Sequence, residues 1–215
     1  MTNFIPLFPL SIVVYPGENL NLHIFEPRYK QLITECYASE KPFGIPAVIN
    51  NKLNEMGTLV NIEDIVNTNP ETGEMDIRTR GLSVFRILEV IKQVPDKLYS
   101  GAIVNYPENS EIWPNRELMQ KVLATIRKLH RLLNISKDFV KPDEELSAYD
   151  LAHHAGLSLE EEYELLGLLR EEQRQEYLKR HLNKLLPVLS EMETLKDRIK
   201  LNGHFKNLSS FDFEK

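Results

Sequence analysis

The chain has 215 residues with a formal net charge of −6, and 42% of them are hydrophobic and 27% charged. These are the proportions of an ordinary globular protein long enough to bury a full core and to divide into two subdomains. The acidic balance argues against a phosphate-binding surface, so no nucleic-acid partner is expected. One cysteine excludes an intrachain disulfide, no apolar run reaches the ~18 residues that span a bilayer, and the start Met1-Thr2-Asn3-Phe4 carries no basic or apolar leader. No membrane partner is therefore expected, and a reducing cytoplasm is the expected location.

Pro6 and Pro9 lack an N–H, so the first strand belongs at an edge or a bulge. Pro16-Gly17 turns the chain, and Leu20, Leu22 and Ile24 alternate with Asn19, Asn21 and His23 as in a strand with one apolar face. Pro27 suits the first turn of a helix in which Tyr29, Leu32, Ile33, Cys36 and Tyr37 form a buried stripe. Residues 59–66 and 75–80 flank Asn69-Pro70-Glu71-Thr72-Gly73 as a hairpin. Gly81 allows a bulge or corner, residues 84–94 read as a strand buried on both faces or bending between sheets, and 99–106 supply one more strand. The expected fold class is α+β: a mixed, largely antiparallel sheet curled into a small barrel with one early helix, then a C-terminal helical bundle.

The division is expected at the junction loop 108–114, with a β-rich subdomain over 1–107, a helical one over 115–200, and a flexible tail over 201–215. Leu118, Val122, Ile126, Leu129 and Leu133 make one helix face. Ser147 with Asp150 reads as a capping box opening a short helix that Gly156 closes, and Ser158 with Glu161 opens the next. The longest helix is expected from Gln173, with a seam through Leu178, Leu182, Leu185, Leu189 and Met192 that either packs internally or pairs in a homodimer. Pro187 predicts a kink or restart there.

The opening series, with Leu7-Phe8-Pro9-Leu10, Pro16-Gly17 and Leu22-His23-Ile24-Phe25-Glu26-Pro27-Arg28-Tyr29, resembles the amino-terminal, substrate-binding domain of the Lon protease family. The likeness continues through Lys41-Pro42-Phe43-Gly44, residues 57–62 and 80–86, and more weakly through the closing helices at 159–169 and 174–186. It implies a PUA-like pseudo-barrel and a free-standing recognition unit for unfolded polypeptides or partner proteins, with a separate Lon protease as one candidate partner and a role in proteolysis. Pro16, Gly17, Phe25, Glu26, Pro27, Arg28 and Tyr29 are landmarks of that resemblance and are read as structural, Arg28 tethering the helix start to a neighbouring strand; contact with a ligand is the alternative.

The chain has no G-x-x-x-x-G-K-[ST] loop, no G-x-S-x-G elbow and no H-E-x-x-H helix, and it ends before a peptidase module could begin. Neither ATP nor peptide hydrolysis is expected, and no cofactor or metal site. Cys36 lies on an apolar helix face and reads as buried and inert, while His153 and His154 point about 100° apart on a helix and cannot readily share a metal. Ile112 and Trp113, in the junction, are the candidate polypeptide contacts, with wedging of the subdomains as the other reading of Trp113. A competing function is an enzyme or small-molecule binder with a pocket around His23, Arg28 and Arg86.

Overall fold

Strands occupy the first half and helices the second in this computed structural model, which describes residues 2–110, 115–136 and 138–204, with the backbone alone for residues 197 and 199–204. In chain order these are β1 (Thr2–Pro6), β2 (Asn19–Ile24), α1 (Pro27–Ala38), β3 (Phe43–Ile49), β4 (Lys52–Thr68), β5 (Met75–Ile91), β6 (Gly101–Asn105), α2 (Arg116–Leu132), α3 (Ala148–Ala152), α4 (Leu159–Leu166) and α5 (Glu171–His204). The strands run in the order β1-β6-β5-β4-β3, all antiparallel, and β2 pairs with the first part of β5.

The segment that follows β1 curls the sheet into a barrel. Leu7 and Leu10 bridge Gly44 and Ala47 of β3 in parallel, and the Phe8 N–H donates to the Gly44 carbonyl at 2.8 Å. This is the PUA-like pseudo-barrel of the α+β fold. Its interior holds Phe8, Val14, Ile24, Phe43, Ile45, Val60 and Ile77, closed by Tyr29, Leu32, Ile33 and Cys36 of α1. Each such buried side chain contributes roughly 1.5–3 kcal/mol.

β5 is one strand of 17 residues where the sequence pattern reads as two. The register passes from Leu59↔Ser83 to Val60↔Gly81, which leaves Leu82 as the extra residue of a bulge. Gly81 is required there because a Cβ would collide with the Tyr15 carbonyl. Beyond the bulge Val84 and Phe85 are fully buried, but Leu88 and Val90 are exposed, so the expectation of a strand buried on both faces fails over its last turns. Tyr37, expected on the buried face of α1, is also exposed; it is the last aromatic before the helix ends at Ala38.

α2 presents Leu118, Val122, Ile126 and Leu129 to the core as its spacing predicts, while Leu133, at the C-cap, is exposed. Both capping boxes form, at Ser147/Asp150 and Ser158/Glu161. α5 runs unbroken from Glu171 through Pro187 to His204, so the restart does not occur. Pro187 is exposed, and so is Asn183, whose carbonyl the proline ring deprives of its usual helical donor. Leu178 and Leu182 are buried against the rest of the chain, whereas Val188, Met192 and Leu195 are exposed, so the start of the seam is internal. Among the described residues no helix is long and apolar enough to cross a membrane.

One core cluster joins the two halves. It contains Val13, Tyr15, Ala47, Ile49, Met56 and Val84 from the strand half and Leu118, Val122, Ile126, Leu151, Leu165, Leu178 and Leu182 from the helices.

Candidate functional site

Pro16-Gly17 forms the turn that admits the chain to β2. Gly17 adopts φ +82° and donates to the Gly81 carbonyl at 2.9 Å, a conformation that favours glycine. The helix start is built as a unit. Glu26 stands at the N-cap and Pro27 at the first helical position. The Arg28 guanidinium pairs with Glu26 at 2.7 Å and lies 4.5 Å from the centroid of the Tyr29 ring, which itself stacks on Phe8 at 3.9 Å. Both Arg28 partners belong to its own turn, where the sequence reading had them on a neighbouring strand. Phe25 is 57% exposed and stacks loosely on His23, with centroids 6.1 Å apart.

The pocket imagined around His23, Arg28 and Arg86 is not assembled. His23 pairs with Asp76 at 2.8 Å, Arg28 is held by Glu26, and Arg86 lies ten residues farther along β5 than Asp76, paired in register with Met56 and Asn105. Ile112 and Trp113, the candidate polypeptide contacts, lie outside the described residues. Cys36 is a free, buried thiol that burial pushes up to about 11, a poor nucleophile at neutral pH. Among the described residues no group of His, Cys, Asp and Glu is arranged to hold a metal.

What the fold does present is an open strand edge at β2. Six consecutive pairs, Asn19↔Arg80 to Ile24↔Met75, join it to β5 without a register shift. The Gly81 N–H donates to the Glu18 carbonyl at 2.8 Å, which sets the alternation: even residues of β2 bond to β5, and Asn19, Asn21 and His23 direct their N–H and C=O groups away from the sheet. β2 pairs with no other strand among the described residues. Leu20 and Leu22 are half-buried on the inner face and Asn19, Asn21 and His23 are exposed on the outer one. At this edge a depression of about 370 Å³ is lined by Asn21, Leu22, His23, Val66, Asp76, Ile77 and Arg78.

The other edges are blunted. β1 contains Pro6, which has no N–H to offer, and the free stretch of β4 carries register shifts between Ile62 and Asp64 and between Ile65 and Asn67, irregularities that discourage strand addition. Arg78 and Arg80, which the sequence reading passed over, point outward beside the open edge, and their side chains make no ion pair or hydrogen bond among the described residues. The alternation Asp76-Ile77-Arg78-Thr79-Arg80 was the signal that places both on one face.

Residues 5–184 match the pattern of the ATP-dependent protease La (LON) substrate-binding domain. The chain belongs to the Lon substrate-binding domain family. Among solved structures, the Lon-type fold is shared with the crystal structure of a Lon N-terminal domain protein from Xanthomonas campestris, 26% identical, with a TM-score of 0.62 over 83% of this chain and 98% of that one. The N-terminal domain of the Mycobacterium avium complex Lon protease, 16% identical, superposes with the same TM-score of 0.62 over 85% of this chain and all of that one, a likeness of fold. A comparison with curated proteins returns no match.

The Lon-type helices are tied to the strand half by two groups that the sequence reading missed. His153 sits between two carboxylates, 2.7 Å from Glu162 and 3.2 Å from Glu18 of the Gly17 turn. Burial works against its charged form, but Glu162 and Glu18 outweigh it and hold the imidazolium up to about 9. Arg174, fully buried, pairs with Glu171 at 3.0 Å. It also donates to Asn109 Oδ1 at 2.7 Å, to the Ser110 carbonyl at 2.9 Å and to the Leu168 carbonyl at 2.8 Å, with Tyr149 stacked 4.1 Å away. It anchors the start of the junction to the helices.

Proposed function

We propose that this chain recognises extended, unfolded polypeptide segments by adding them as a strand to the outer edge of β2, without hydrolytic chemistry of its own. The observation that carries this reading is the edge itself, because three alternate residues of an unshifted strand offer backbone donors and acceptors to an incoming chain. Membership of a family described as substrate-binding supports it, as does the buried, raised thiol of Cys36, which leaves the one cysteine unsuited to nucleophilic work. The proposed setting is protein quality control, with a Lon protease as the machine that receives what is bound. The landmark strand leading into Phe25-Glu26-Pro27-Arg28-Tyr29 then serves as the docking edge, with Arg28 and Tyr29 fixing the helix behind it.

Binding of a permanently unfolded protein, such as reduced and carboxymethylated lactalbumin, tests this by fluorescence anisotropy. The folded form of the same protein is expected not to bind. Asn21→Pro removes one outward N–H while leaving the bonds to β5 in place, so it should weaken binding at least about tenfold with little change in melting temperature. Equal binding of folded and unfolded forms, or of variant and parent, would reject the edge as the site.

A further inference from the structure

Resting on that reading, we infer that the β2 edge selects segments in which acidic residues alternate with apolar ones. The two faces of an added strand would meet different chemistry. On the inner face its side chains would continue the row of Leu20 and Leu22, which are only half-buried and pack against the barrel's core cluster, so alternate positions should be apolar. On the outer face the neighbours are Asn19 and Asn21, and one strand farther in, directly opposite them, Arg80 and Arg78.

Reach decides what those arginines do. Strands lie about 4.8 Å apart, so an added strand would run roughly 9.6 Å from β5, within reach of an extended guanidinium leaning over a short asparagine. Arg78 and Arg80 are two residues apart on one strand and so present their charges side by side on one face. Both are exposed and unpaired among the described residues. The acidic groups of the same region are Asp76, paired with His23, Asp64, opposite Arg78 in register, and the exposed Glu63 at the irregularity beside it. The third outward position, beside the His23–Asp76 pair, gains nothing from a carboxylate. The preferred ligand is therefore an extended segment with two acidic residues spaced two apart and apolar residues between, its carboxylates forming charge-assisted bonds to the two guanidiniums.

Fluorescently labelled seven-residue peptides with the full chain test this. A valine–aspartate alternation should bind at least about tenfold more tightly than a valine–lysine one, and the preference should shrink as salt rises. Arg78→Gln with Arg80→Gln should abolish the preference and weaken, without abolishing, binding of the unfolded lactalbumin, and Arg78→Glu with Arg80→Glu should invert the preference. These positions are exposed, so melting temperatures should stay within a few degrees. N-methylation of the aspartate peptide at alternate residues should destroy binding in one frame and spare it in the other, which charge attraction alone would not do.

Equal affinity for both peptides, or an undiminished preference in the glutamine variant, overturns the inference and leaves polypeptide recognition standing if the unfolded protein still binds in an Asn21-dependent way. Loss of all binding, peptide and protein alike, in the parent chain overturns both. Sedimentation showing a dimer that the glutamate variant dissolves would assign the edge to a second copy and also overturn the inference.

Discussion

At the scale of single residues, the seam between strands and helices is governed by charge placed where sequence periodicity has nothing to say. His153 has a folded-state pKa of about 9 against an unfolded value of 6.5. A group raised on folding contributes stability that is complete below the unfolded value and is lost as pH rises through the folded one. Its side chain is 37% exposed, so solvent screening reduces the contribution to the order of 1 kcal/mol. Denaturant unfolding should therefore show stability falling by about that amount between pH 6 and pH 10, and His153→Gln should flatten the decline. An unchanged slope in the variant would remove His153 from the account. The sequence says of His153 and His154 only that they cannot readily share a metal, because both carboxylates of His153 come from elsewhere, Glu162 nine residues on and Glu18 135 residues back. Arg174 was invisible for the same reason: a buried charge is defined by partners, and Asn109 and Ser110 are remote in sequence. Cys36 was legible, since its place on an apolar helix stripe needs no partner to be read.

Elements were legible where they carry their own punctuation. The β2 alternation, Pro27 at the helix start and both capping boxes each specify a boundary locally. The open edge was not legible, because whether a strand has a second neighbour depends on the order β1-β6-β5-β4-β3, which no periodicity reports. The joined β5 and the unbroken α5 differ from expectation in the same direction: one bulge and one exposed proline perturb an element that its surroundings continue. For α5 this has a measurable consequence. Val188, Met192 and Leu195 are exposed beyond Pro187, so little packing supports the last turns and the missing hydrogen bond is felt there. Pro187→Ala, worth up to about 3 kcal/mol of helix propensity, should raise amide protection in residues 188–198 while leaving the global melting temperature nearly unchanged. A rise of many degrees in melting temperature would mean instead that this half of α5 unfolds together with the core.

At the scale of the whole molecule, the question is whether strands and helices are stable apart. The composition shift near residue 107 invites a division into two subdomains, yet side chains from both sides share one core cluster. Removing the helices would expose Val13, Tyr15, Ile49, Met56 and Val84, all at least nine-tenths buried in the intact chain. At roughly 2 kcal/mol each this is on the order of 10 kcal/mol, an upper estimate because unfolded chains retain some burial, but comparable with the 5–15 kcal/mol that holds a typical domain together. Polar ties add to the coupling: the Tyr15 hydroxyl donates to the Glu162 carbonyl at 3.0 Å, and the Met56 N–H donates to the Tyr163 hydroxyl at 3.1 Å. We therefore propose two compositional halves that fold as one cooperative unit. Residues 1–107 made alone should bind a hydrophobic dye and unfold without a sharp transition, whereas the full chain should lose its strand and helix signals at a single denaturant midpoint. A fragment that melts cooperatively with native-like chemical-shift dispersion would show that the barrel's own core, around Phe43, Leu32 and Ile77, suffices without the helices.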